Sequence, residues 1–125
     1  MSERAIPLPS NAELELLGIL WSRGPSTVRQ IHENGGGGTG YTTTLKTLQR
    51  MTDKGLVERD TRPHRHIYSA AQEADQVRRQ LVGQLLRQAF DGSITALLLA
   101  ALSTRPTSAG ELANIRQLLN DYEGR

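Results

Sequence analysis

Between Thr42 and His66 lie six basic side chains, Lys46, Arg50, Lys54, Arg59, Arg62 and Arg65, against three acidic ones, Asp53, Glu58 and Asp60. His64 and His66 add nitrogen donors to the same stretch. The whole 125-residue chain carries a formal charge of only +2, so the cationic character is local. Guanidinium and ammonium groups gathered in this way suit a polyanion, because they donate to phosphate oxygens and to guanine O6 and N7. Other chemistries are poorly supplied. With no cysteine there is no disulfide and no thiolate metal site. Three histidines, His32, His64 and His66, offer few bases, and no Ser-His-Asp set has motif-level spacing, so no enzymatic activity is expected. His64 and His66 with Asp60 make a thin metal set, and alternating strand histidines are common without metal, so neither a metal nor a cofactor is expected. Gly35 to Gly38 is a glycine run, but a nucleotide-binding loop needs a following Lys-Ser or Lys-Thr. Thr39-Gly40-Tyr41-Thr42 follows instead, and the run reads as a flexible connector.

The elements that must position these groups are marked by caps and breakers. Ser10 and Glu13 form an S-x-x-E capping box, in which each side chain satisfies a backbone N–H left open at a helix start. Behind it Leu14, Leu17, Gly18 and Trp21 recur at helical spacing, widened by Leu16, Ile19 and Leu20, until Gly24-Pro25 stops the helix. Ser26 is placed to cap a short second helix from Thr27 to about Asn34, with Val28 and Ile31 inward. A third helix runs from Thr42 to Lys54 and ends at Gly55. On it Tyr41, Leu45, Leu48 and Thr52 share one face, while Thr43, Lys46, Thr47, Arg50 and Lys54 share the other. That second face carries cations and small hydroxyls and no carboxylate, with Asp53 towards its edge. Leu56 to Asp60 and His66 to Ser69 read as two strands joined by Thr61-Arg62-Pro63-His64-Arg65, a hairpin with a basic tip.

Three helices followed by a basic hairpin are the order of a winged helix-turn-helix, whose third helix enters the major groove. Thr42, Thr43, Lys46 and Thr47 would then lie nearest the bases. Arg50 and Lys54 would meet phosphates, and Arg62, His64 and Arg65 at the hairpin tip would reach the backbone or the neighbouring minor groove. Ser26 and Thr27, at a helix start, would hold one more phosphate. Tyr41 and Trp21 read as core or groove-lining aromatics.

The rest of the chain needs a separate explanation. From Gln72 onward Val77, Leu81, Leu85 and Ala89 repeat every four residues, backed by Val82, Leu86 and Phe90. Ser93 caps an almost wholly apolar helix, Ile94 to Leu102, and Ser108 and Glu111 form a second capping box before Leu112, Ile115, Leu118, Leu119 and Tyr122. Helices this apolar cannot lie bare on a small monomer. Burial against a second copy is the expected solution, with folding back onto its own domain as the alternative. The dimer contacts would come from Val77, Leu81, Leu85, Phe90, Leu97, Leu98, Ala101, Leu112, Ile115 and Leu119. The domains expected are residues 1–71, a winged-helix DNA-binding domain, and residues 72–125, a helical dimerisation domain. The fold class is mainly α with a small β-hairpin. Composition fits a globular protein, at 37% hydrophobic and 22% charged residues. No run approaches the roughly 20 apolar residues that span a bilayer, and the start lacks a signal-peptide pattern. A cytoplasmic protein without membrane insertion is expected.

The run AELELLGILWSRGPSTVRQIHE, and then YTTTLKTLQRMTDKGLVERD, resembles the BlaI/MecI penicillinase-repressor family. AFDGSITALLLAAL followed by ELANIRQLLND resembles that family's dimerisation region, so the similarity covers residues 8 to 122. The resemblance implies a homodimeric winged-helix repressor that binds palindromic operators, often of β-lactam-resistance or metal-homeostasis genes. By position, its recognition helix corresponds to Thr42 to Lys54 and its wing to Asp60 to His66. β-Lactam-responsive members are cut between an Asn and a Phe through a membrane sensor protease system. Ala100-Ala101 stands at that place here, which leaves the inducing signal and a sensor-protease partner open. The cysteine motif of copper-responsive relatives is missing. The function expected is a sequence-specific DNA-binding repressor, acting as a homodimer on double-stranded operator DNA. The alternative is a winged-helix protein-interaction module without specific DNA binding, which would expose apolar or acidic residues on its third helix.

Overall fold

The computed structural model describes residues 6–35, 39–62 and 66–124. Its first helix, α1 (Asn11–Arg23), starts at the capping box expected: Ser10 Oγ accepts from the Glu13 N–H, and Glu13 Oε1 accepts from the Ser10 N–H. Gly24, at φ 85°, ends it by donating its N–H to the Leu20 carbonyl. A two-residue strand, β1 (Ser26–Thr27), leads directly into α2 (Val28–Gly35). Then come α3 (Tyr41–Lys54), closed by a left-handed Gly55 at φ 84°, and the strands β2 (Val57–Arg59) and β3 (Ile67–Ala70). Three further helices follow, α4 (Ala74–Ala89), α5 (Ile94–Ser103) and α6 (Ala109–Glu123). Mainly helical and with a small antiparallel sheet, the chain is a winged helix-turn-helix followed by C-terminal helices.

The sheet has three strands, not the two of a plain hairpin, in the order β1-β3-β2. Ser26 pairs with Tyr68 and Thr27 with Ile67, while Val57 pairs with Ala70 and Arg59 with Tyr68. Strand β1 is too short to show a period of two, so only its pairing reveals it. By tying the start of α2 to β3, it fixes the wing against the helix-turn-helix.

Two compact units divide between Val82 and Gly83. The core of the first is made by Leu17 from α1, Ile31 from α2 and Leu48 and Met51 from α3, each 1% exposed or less. Val57 and Tyr68 close it from the sheet. Each such side chain taken from water contributes about 1.5–3 kcal/mol. Trp21 packs at its margin and donates its indole N–H to the Gln72 carbonyl, 2.9 Å away, which ties α1 to the segment entering α4. The inward face of α3 differs from the one expected: Thr44, Thr47, Leu48 and Met51 are buried, whereas Tyr41 is 46% exposed.

The second unit has a different character. Among its described residues no side chain is buried; Val77, the buried residue of α4, belongs to the part of that helix in the first unit. Ser93 Oγ caps α5 by accepting from the Ala96 N–H, as expected. At α6 only half of the expected box forms: Ser108 Oγ accepts from the Glu111 N–H, while the Glu111 carboxylate pairs with Arg105. No single helix among the described residues is long and apolar enough to cross a membrane.

Candidate nucleic-acid interface

The orientation of α3 is set at both ends. Near its start, His32 Nδ1 of α2 lies 3.1 Å from Thr44 Oγ1, and the His32 ring meets the edge of Tyr41 with centroids 5.8 Å apart. At its end, Lys54 Nζ reaches both carboxylate oxygens of Glu13, at 2.8 and 3.1 Å. Glu13 is fully buried at the foot of α1. Burial pushes its carboxyl up, but the Lys54 ammonium and the Ser10 N–H outweigh that and hold it below the usual carboxylate range. The ion pair therefore stays charged at neutral pH and pins the last turn of α3 to α1.

Held this way, α3 turns Thr42, Thr43, Lys46, Gln49, Arg50 and Asp53 to solvent. Thr42, Thr43, Lys46 and Arg50 stand where the sequence places them. Three others of the expected set do not. Thr47 is buried, because its hydroxyl bonds back to the Thr43 carbonyl at 2.9 Å and its methyl can then face the core. The Lys54 ammonium is spent on Glu13 and is not a free phosphate donor. Ser26 is 4% exposed and gives its hydroxyl proton to the Gly24 carbonyl. It does not cap α2 either; Thr27 does. Thr27 Oγ1 accepts from the Gln30 N–H, and Gln30 Oε1 accepts from the Thr27 N–H. Asp53 is exposed and, four residues after Gln49, shares the cationic face instead of edging it. It sits on the last turns, so the stretch from Thr42 to Arg50 remains free of acids.

On the wing, Arg62 forms a forked pair with Asp60, Nη2 to Oδ2 at 2.7 Å and Nε to Oδ1 at 3.1 Å, and its guanidinium is held further above its already high range by that carboxylate. His64 and Arg65 lie outside the described residues. A groove of about 640 Å³ runs between α3 and the sheet. Arg29 of α2, Tyr41 and Gln49 of α3, and Arg59, His66 and Tyr68 of the sheet line it. Arg29, Gln49 and Arg59 are three polar residues that sequence reasoning did not select. For Arg59 a signal exists: in a strand it alternates onto the same side as the buried Val57, facing the helices. For Arg29 and Gln49 the signal is helical phase, since both lie away from the buried positions of their helices.

Of the residues expected at a dimer contact, Val77 is 1% exposed within the single chain and so is already covered. Leu81, Phe90, Leu97, Leu98, Leu112 and Ile115 are half-buried, and Leu85, Ala101 and Leu119 are exposed.

Comparison of the sequence with known proteins finds a matching family. The family model for the penicillinase repressor matches residues 9–121. Two curated relatives, each called transcriptional regulator BlaI and coming from the CDC 1551/Oshkosh and H37Rv strains of Mycobacterium tuberculosis, are 34% identical over 116 residues. Those matches cover 89% of this chain and 82% of each relative. The chain belongs to the penicillinase-repressor family.

Proposed function

We propose that the protein is a sequence-specific DNA-binding transcriptional repressor, acting in the cytoplasm as a homodimer on a palindromic operator of β-lactam-resistance or metal- or stress-response genes. The observation that carries this reading is the exposed, acid-free stretch of α3 from Thr42 to Arg50. A major groove admits one helix, and Lys46 on that stretch is placed to donate to guanine while the Thr42 and Thr43 methyls suit thymine. A protein-interaction module would carry apolar or acidic groups there. Membership of the penicillinase-repressor family supports a repressor over any enzyme.

Dimerisation is supported by the C-terminal helices. Leu112, Ile115, Leu119 and Tyr122 of α6 follow a spacing of three and four residues, the seam that one helix offers another. A twofold dimer would present two α3 helices to half-sites one or more helical turns apart.

Selection of bound sequences from a random duplex library tests the reading. Recovery of one palindromic motif, with discrimination reduced by Lys46→Ala, is the expected result. Recovery of no motif, with binding that vanishes as salt rises, would overturn it in favour of the interaction module.

A further inference from the structure

We propose that Arg29 and Arg59, with His66 beside them, form a clamp for the DNA backbone along the groove between α3 and the wing. The inference rests on the DNA-binding reading above, and assigns the phosphate contacts to a set of cations different from the one the sequence suggests.

Charge bookkeeping makes the distinction. A cation already paired with a carboxylate has little net charge to offer a phosphate. Lys54 is committed to Glu13 and Arg62 to Asp60. Arg29 and Arg59 are exposed, and among the described residues neither is ion-paired with a carboxylate. They come from different elements, α2 and β2, yet line the same concave surface, and among the described residues no acidic one lines it with them.

The groove shares Tyr41 and Gln49 with α3, so it borders the helix face that carries Thr42 and Lys46. A strand flanking a major groove filled by α3 passes alongside that helix, over the Arg29–Arg59 span. Arg59 is also aimed: across the sheet its Nη2 lies 3.4 Å from His66 Nδ1, and its backbone pairs with the buried Tyr68. The β1–β3 pairing ties Thr27, two residues before Arg29, to Ile67 in the strand that Arg59 pairs with. The sheet thus fixes the spacing of the two backbone positions from which the guanidinium groups project.

Salt dependence reads the clamp directly, because each neutralised phosphate contributes about −0.9 to the slope of log affinity against log salt. Arg29→Gln and Arg59→Gln should each flatten that slope by about 0.9, and the double variant by about twice that. Affinity should fall by a similar factor on every duplex, because phosphates carry no sequence. Replacing the Asp60–Arg62 ion pair by Asp60→Asn with Arg62→Gln removes one charge of each sign and should leave the slope unchanged. Measuring on a random duplex as well as on a selected operator separates this inference from the repressor reading. Failure to select any motif would sink that reading while the slopes still judged the clamp. Unchanged slopes in folded Arg29→Gln and Arg59→Gln proteins, checked by circular dichroism, would overturn the clamp with the repressor reading intact.

Discussion

In the winged-helix unit Leu17, Ile31, Leu48 and Met51 are each 1% exposed or less, whereas beyond Val82 no described side chain is buried, and Ile94, Leu99 and Tyr122 stand 68%, 66% and 64% exposed. Side-chain caps occur in both, at Ser10 and Thr27 in the first unit and at Ser93 and Ser108 in the second. The difference lies in what the helices close on. Those of the first unit converge from three directions on a common centre and on a sheet that seals it. Those of the second present apolar stripes that a single chain leaves partly wet. Local propensity and capping start a helix, but most of its stability in water comes from packing an apolar face, and on the dimer reading proposed above a second copy supplies that surface to the second region.

That contrast can be broken at its strongest point first. Leu48→Ala removes a fully buried side chain and should cost the winged helix about 2–5 kcal/mol, read as a lower denaturant midpoint at any protein concentration. Leu99→Ala, at 66% exposure, should cost a free chain almost nothing. Comparable losses in the two variants, both independent of concentration, would erase the distinction between the regions.

Next in size is the ion pair that pins α3. Glu13→Gln leaves the Lys54 ammonium without its anion and should cost about 1–3 kcal/mol in chemical denaturation. Because the folded carboxyl titrates below its unfolded value, its contribution is fully present above the ordinary carboxylate range near pH 4.3. It is lost as pH falls through the folded value. The gap between wild type and Glu13→Gln should therefore be constant near neutrality and close in acid; a gap that widened in acid would contradict the assignment.

The smallest effect sharpens the boundary at α2. Thr27→Ala deletes a cap whose two hydrogen bonds with Gln30 are both formed, and should cost about 1 kcal/mol in the same denaturation assay. Ser26→Ala removes a hydroxyl bonded to Gly24 instead, and should not fray α2. The reverse ranking of helix loss would return the cap to Ser26.

These residues also mark how far the fold was legible before the structure. The capping box at Ser10 and Glu13 and the stop at Gly55 are local signals, and both hold. T-x-x-Q from Thr27 to Gln30 was as readable as the S-x-x-E motifs, yet the neighbouring serine drew the assignment one residue early. The phase of α3 was harder to read, since threonines count as polar by type. Thr44 and Thr47 go inward because a partner on α2 and a carbonyl one turn back satisfy their hydroxyls. Glu13 in the core was out of reach, as its partner Lys54 lies 41 residues away in sequence. The exposure of Thr42, Thr43, Lys46 and Arg50 on α3 was legible from pattern. Helical phase and strand alternation turn Arg29 and Arg59 as they stand, but that they line one groove depends on the pairing of β1 with β3, which no local signal gives.

On the proposed reading the two regions divide the labour, one reading DNA and the other binding a second copy. Sedimentation equilibrium of the full chain, alone and with a palindromic duplex, addresses it most directly. A dimer in solution and two chains on each duplex are the predicted result. A chain that stays monomeric at micromolar concentration and binds as a single copy would contradict the account.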